Sequence, residues 1–264
     1  MKKIVYLSLS ALALFSFTFS SCEKSDSSSS DEPIKKLVKV VEEYDEGARV
    51  VREINYDDEG RVASVSVVDE IGVANFTYEY AESEIIMTRE ESIQESVDVL
   101  KYILGASSLP IKSIYTIKRN GNGEDEVTEG GPIMYDPNGY LVDLDGFVNI
   151  TWKDGNAIKL DYGTEDFVVI DYTDSTHPEP LISKFTNYDF DNWFYLPGQV
   201  LPFKLKLSGH LPIHLKHQGI TNYECSYSWK FDADGYPTEV RRTVVGENLS
   251  LSGVNSSTLY FNWE

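Results

Sequence analysis

The feature that most constrains this chain is a recurring short unit in which an aromatic residue, an aspartate, two variable residues and a glycine precede a run of alternating residues. It appears as Tyr56-Asp57-Asp58-Glu59-Gly60, as Tyr135-Asp136-Pro137-Asn138-Gly139 and as Phe231-Asp232-Ala233-Asp234-Gly235. Tyr44-Asp45-Glu46-Gly47 is a shortened form and Trp152-Lys153-Asp154-Gly155-Asn156 a variant. Aspartate in the first place accepts hydrogen bonds from the amides ahead of it, the middle pair makes a type I turn, and glycine takes the left-handed conformation that closes the loop. Pro137 suits the first central place, where a fixed φ is wanted. A calcium loop would need several converging oxygens and a distal glutamate, which none of these units supplies. The units are therefore read as hairpin turns, and no metal is expected.

Between these turns lie segments rich in β-branched and aromatic residues: Val62 to Val68, Val73 to Tyr80, Ile114 to Ile117, Phe147 to Trp152, Phe167 to Tyr172, Tyr223 to Phe231 and Leu259 to Trp263. Short strands at short spacing predict an all-β chain, an antiparallel meander curling into a barrel-like or half-open sheet. Two stretches depart from that pattern. From Glu90 to Leu104, the residues Ile93, Val97, Leu100 and Leu104 fall at helical spacing and predict one short amphipathic helix. From Leu181 to Ile220 the text is aromatic and broken by prolines, which predicts an irregular or helical cap.

The beginning of the chain has a different character. Lys2 and Lys3, an apolar stretch from Ile4 to Phe19 and Ser20-Ser21-Cys22 read as a secretory signal over residues 1–21. A cysteine at that place resembles a lipobox, with Phe19 where an aliphatic residue is usual, and Cys22 is the expected lipidation site. Residues 22–33, rich in serine and acid and without an apolar side chain from Glu23 to Pro33, form a flexible tether. The remainder, 34–264, is expected to be a single β domain. The formal charge of −20 repels phosphate backbones and argues against a nucleic-acid partner.

Candidate chemistry is sparse. His210, His214 and His217 lie close together, but Pro212 interrupts them and no nearby ligand completes a zinc set. His177 stands alone before Pro178, and Cys225 sits in an alternating apolar pattern that reads as a buried strand position. No nucleophile elbow, phosphate-binding loop or dinucleotide fingerprint is present. Carboxylate pairs such as Asp143 with Asp145, or Asp189 with Asp191, would be catalytic only in a cleft that separates their pKa values. Trp193, Phe194 and Tyr195 are the candidate ligand-binding residues, an aromatic platform for a sugar ring or an apolar molecule.

The lipobox-like start, the Tyr-Asp-x-x-Gly hairpins, the pair "ITWKDGNAIKLDYG" and the run "SGHLP" followed by "YSWKFDADGYPTEV" resemble lipoproteins of unknown function from the Bacteroides group whose domain is described as porin-like. The resemblance implies a curled antiparallel sheet and no established activity, so no catalytic residue or cofactor is carried over. An integral barrel would need an outward apolar band, which a charged strand such as Val50 to Ile54, with Arg52 and Glu53, serves poorly. The expectation is a non-enzymatic outer-membrane lipoprotein, on the periplasmic face or the cell surface, that binds a glycan, an apolar small molecule or an envelope partner. A carboxylate-dependent envelope hydrolase and a structural subunit of an outer-membrane complex are the alternatives.

Overall fold

The computed structural model describes residues 35–93, 96–119, 124–144, 146, 148–163, 165–176, 208–219, 222–247 and 256–264. Among the described residues sixteen strands follow one another: β1 (Leu37–Tyr44), β2 (Arg49–Tyr56), β3 (Val62–Val68), β4 (Val73–Tyr80), β5 (Glu84–Glu91), β6 (Ser96–Leu104), β7 (Pro110–Arg119) and β8 (Glu126–Tyr135) make the first half. The second half is β9 (Leu141–Leu144), β10 (Val148–Lys153), β11 (Asn156–Gly163), β12 (Asp166–Thr176), β13 (His210–Gln218), β14 (Asn222–Phe231), β15 (Pro237–Glu247) and β16 (Ser257–Trp263). Each strand pairs antiparallel with the next, and β1 pairs with β16, so the sheet closes into a barrel. The seam holds Val40 opposite Phe261 and Glu42 opposite Leu259, and Glu264 N–H donates to the Lys36 carbonyl at 2.9 Å. Closure removes both sheet edges, which would otherwise expose unpaired amides.

The turn units behave as their chemistry requires. In the three full units the aspartate Oδ1 accepts the amide two residues on, at 2.9–3.0 Å, and the amide four residues on, at 2.8 Å. Gly60, Gly139 and Gly235 have φ of +77°, +85° and +85°, a region that an L side chain adopts only at a cost. In the short unit Tyr44 supplies the backbone partners itself, and Asp45 is left to pair with Arg241. At the fifth unit Asp154 and Gly155 both have positive φ, +51° and +79°, the two-residue turn whose twist matches a hairpin.

The Asp136 carboxyl is held below the usual carboxylate range, chiefly by the Tyr140 amide, against which burial acts, and further by Asn138 and Gly139. A depressed folded pKa contributes stability above the ordinary value of about 3.9, and that contribution is lost as pH falls through the folded value. Asp136→Asn keeps the acceptor without the charge, so its unfolding midpoint should fall less steeply below pH ~4 than that of the parent. Asp136→Ala should lower the midpoint at neutral pH as well, and thermal scans across pH read both effects.

A second repeating device was not anticipated. Near the end of seven of the eight even-numbered strands an aromatic side chain donates its N–H or O–H to a backbone carbonyl at the start of the preceding strand, at 2.6–2.9 Å. The donors are Tyr56, Tyr80, Tyr135, Trp152, Tyr172, Trp229 and Trp263. The residue after the turn glycine covers the next such aromatic: Arg61 lies over Tyr80, Tyr140 against Trp152 and Tyr236 against Trp263. Turn, latch and lid are thus one repeated unit, and this end of the barrel is ringed by aromatic side chains whose polar atoms are satisfied.

Two local expectations are corrected. No helix exists among the described residues; the Glu90 to Leu104 stretch contains the end of β5 and all of β6. Its helical spacing is overridden by β-branched Val97, Val99 and Ile103 and by pairing on both sides, which alternates Asp98, Leu100 and Tyr102 inward. The expected cap from Leu181 to Ile220 contains strand β13 at its end, while residues 181–207 lie outside the described residues. Pro212 fits this strand because the β12–β13 register shifts beside it, and its carbonyl accepts the Trp229 indole.

The inward faces of the strands form one apolar cluster. Phe76, Met87, Leu100, Tyr102 and Val240 are wholly buried. A round barrel of sixteen strands encloses a water-filled channel. Side chains lining such a channel would be wet, whereas these residues are wholly buried in one apolar cluster. The lumen at this level is core, not pore.

Candidate functional site

The outer wall is charged. Lys39–Glu53, Lys101–Glu84, Lys112–Glu129, Lys216–Glu224 and Lys230–Glu239 pair across neighbouring strands at 2.6–3.1 Å. They stand at outward positions, where a membrane-spanning barrel carries its apolar band. This alternation, apolar inside and charged outside, is the reverse of a porin wall.

Polar groups also enter the interior, at the mouth opposite the aromatic latches. Glu42, 4% exposed, points inward from β1 and is shared by two guanidinium groups: Arg52 from β2 at 3.2 Å and Arg242 from β15 at 3.0 Å. Ser257 donates to the same carboxylate at 3.0 Å. Burial is the largest influence on Arg242 and works against its charge, but Glu42 together with Tyr227, Tyr44 and Cys225 outweighs it and holds the pKa above that of an ordinary arginine. Burial also pushes the Tyr44 hydroxyl up to about 12, so it stays neutral beside this cluster.

A second cluster follows around the wall. Arg89 on β5 pairs with Asp98 on β6 at 3.1 Å and with Glu91 on its own strand. Its guanidinium also lies over the Phe76 ring, and its buried Nε has no hydrogen-bond partner among the described residues. Burial pushes the neighbouring Tyr115 hydroxyl up to about 12.

Between these clusters opens a cleft of about 370 Å³. Its row of inward residues is given by the register: Arg52 opposite Val67, Val67 opposite Ala74, Ala74 opposite Glu91. The small side chain of Ala74 leaves room there. Val50 adds apolar wall, and Ile71 and Ile93 stand at the rim 74% and 62% exposed. Large aliphatic side chains so exposed beside charged groups are what a site for a small amphipathic molecule presents.

The expected site residues are placed as follows. Cys22, Trp193, Phe194 and Tyr195 lie outside the described residues, as do His177, Asp145, Asp189 and Asp191. Asp143 accepts the Gly146 amide at 2.8 Å, a turn contact. The three histidines share β13 but not a site. His210 contacts Asn156, His214 faces outward between Asp171 and Glu224, and His217 points inward, 2.9 Å from Asp166 and stacked on Tyr223. Cys225 is a buried strand residue, 1% exposed. Where carboxyl pKa values are displaced they are displaced downward, by a cation at Glu129 beside Lys112 and Asp45 beside Arg241 and by amides at Asp136, opposite to the raised value a general acid needs. Arg52 was missed as a site residue because, with Glu53, it was read only as a break in an outward apolar band, and Arg89 was missed because its segment was assigned to no strand. The phase was the available signal, since Arg52 shares the inward parity of Ile54 while Glu53 does not.

The sequence matches no protein-family model and no curated protein. Among solved structures the chain is similar to a porin-like protein from Bacteroides vulgatus ATCC 8482, with a TM-score of 0.31 and 11% identity over 88% of this chain and 99% of that one. It is also similar to a porin-like protein from Bacteroides uniformis ATCC 8492, with a TM-score of 0.50 and 14% identity over 86% of this chain and 98% of that one, a likeness that shows a shared barrel fold.

Proposed function

We propose that this chain is an envelope-associated, non-enzymatic binding protein, a β-barrel held at a membrane by lipid on Cys22 and standing in water on the tether of residues 22–33. The observation that carries the binding role is the cleft at the charged mouth, where Arg52, Arg89 and Glu91 sit among apolar walls under an exposed aliphatic rim. The charged outer wall and the filled lumen support a barrel that binds at its end and does not conduct through its middle. Of the three expected ligand classes, a small molecule with an apolar body suits this cleft best, with Arg52, Arg89 and Glu91 left to meet any charge it carries. A glycan would call on an aromatic platform, and among the described residues the cleft lining contains no aromatic side chain.

The test is thermal unfolding of the chain from residue 32 to 264 against glycans, fatty acids and apolar peptides. A ligand at one hundred times its dissociation constant stabilises its target by about 2.7 kcal/mol. A shift with an apolar class that disappears in Val67→Trp, which fills the cleft, is the expected result. A glycan shift untouched by Val67→Trp would overturn the site, and no shift with any class would overturn the binding role.

A further inference from the structure

The cleft has two poles of opposite sign. On the β1–β2 side one carboxylate, Glu42, serves two guanidinium groups, Arg52 and Arg242, leaving an excess positive charge. Within the protein, among the described residues, Arg52 has one side-chain hydrogen bond, to Glu42, although a guanidinium carries five N–H donors. On the β5–β6 side one guanidinium, Arg89, serves two carboxylates, Glu91 and Asp98, leaving an excess negative charge. Arg52 and Glu91 end the same row, with Val67 and Ala74 between them. Three strand spacings of about 4.8 Å separate their Cα atoms by roughly 14 Å, before the side chains reach inward.

A simple anion would satisfy the first pole and be repelled by the second, and a simple cation the reverse. A neutral apolar molecule would leave both uncompensated in a partly desolvated site, where unpaired charge is costly. The complementary ligand carries both charges at its two ends and an apolar surface between. Asp69, the other charged residue on the lining, gives Oδ1 to the Ile71 and Gly72 amides and holds the rim turn in shape.

We propose that the cleft binds a short apolar peptide with both termini free, its carboxylate on Arg52, its ammonium on Glu91 and its side chains against Val50, Val67, Ile71 and Ile93. This rests on the binding role given above and names its ligand class. Leucyl-leucine is the probe, and N-acetyl-leucyl-leucine and leucyl-leucinamide each remove one terminal charge while leaving the protein unchanged.

Calorimetric titration of the parent protein should show leucyl-leucine binding at least tenfold more tightly than either blocked form. Glu91→Gln should bring the parent affinity for leucyl-leucine down to that for the acetylated form, while leaving the acetylated form itself unaffected. Arg52→Lys should weaken the amide form less than tenfold and leucyl-leucine more, since a lysine keeps charge but loses the fork that pairs with a carboxylate. Equal binding of all three peptides would overturn the two-pole assignment while leaving the binding role standing. No binding of any of them, beside a Val67→Trp-sensitive shift with another apolar class, would overturn the peptide assignment alone. No binding of any apolar ligand would overturn both.

Discussion

Replacing Glu42 with alanine should destabilise the barrel by about 3–5 kcal/mol, because it strands charge that the fold has already taken out of water. Glu42 accepts from Arg52, Arg242 and Ser257, and Arg242 is 2% exposed with no route back to solvent. For a domain of this length that loss lowers the unfolding midpoint by on the order of 10 °C. The pair also joins β1 to β15 across the closing seam, since Ser257 on β16 is opposite both Tyr44 and Arg242. Removing both members, as Glu42→Met with Arg242→Met, should recover part of the loss, because a well-packed apolar replacement of an ion pair costs less than a broken one. A double mutant no better than the single one would place the cost at Arg52, which loses Glu42 in both, and not at Arg242. Differential scanning calorimetry on the parent, both single variants and the double variant settles the comparison.

Phe76→Ala should cost about 3–5 kcal/mol, the range for a large aromatic removed from a packed core. The size of this effect distinguishes a filled barrel from an open one. In a water-lined lumen an inward phenylalanine would lose little on truncation, whereas Phe76 is wholly buried and covered by the Arg89 guanidinium. Its outward neighbour Thr77 is exposed, and Thr77→Ala should fall within ±0.5 kcal/mol. Urea unfolding reads both, with a shifted midpoint and an unchanged slope if the native state stays compact. An effect below 1 kcal/mol at Phe76 would mean that the interior around it is not packed.

Much of the architecture was legible in local chemistry. The Asp-x-x-Gly units could be read as hairpins because every atom they need lies within five residues, and Asp57, Asp136 and Asp232 make the same two amide contacts at nearly the same distances. Val62–Val68 and Val73–Tyr80 were legible for the same reason, as alternation is a property of consecutive residues. The stretch ending at Leu104 was misread because Val97, Leu100 and Leu104 satisfy a helical period as well as a strand, and only the partners on β5 and β7 choose between them. The aromatic latches were half visible: tyrosine before the turn could be seen, but not the carbonyl it reaches, which lies from 11 to 26 residues away.

The candidate site was not legible, and the reason is physical. Arg52 and Glu53 are adjacent, equally charged in magnitude and identical in their local signal. One enters a buried network with Glu42 and the other meets Lys39 on the outer wall. The sequence by itself determined the all-β character, the antiparallel order and the positions of the turns, because these follow from backbone conformation and nearest neighbours. Only the tertiary structure decided that the sheet closes, that its lumen is filled, and that six buried or half-buried charges gather at one mouth. Those outcomes depend on which strand meets the last one and on what the interior encloses, and such contacts join residues two hundred or more positions apart.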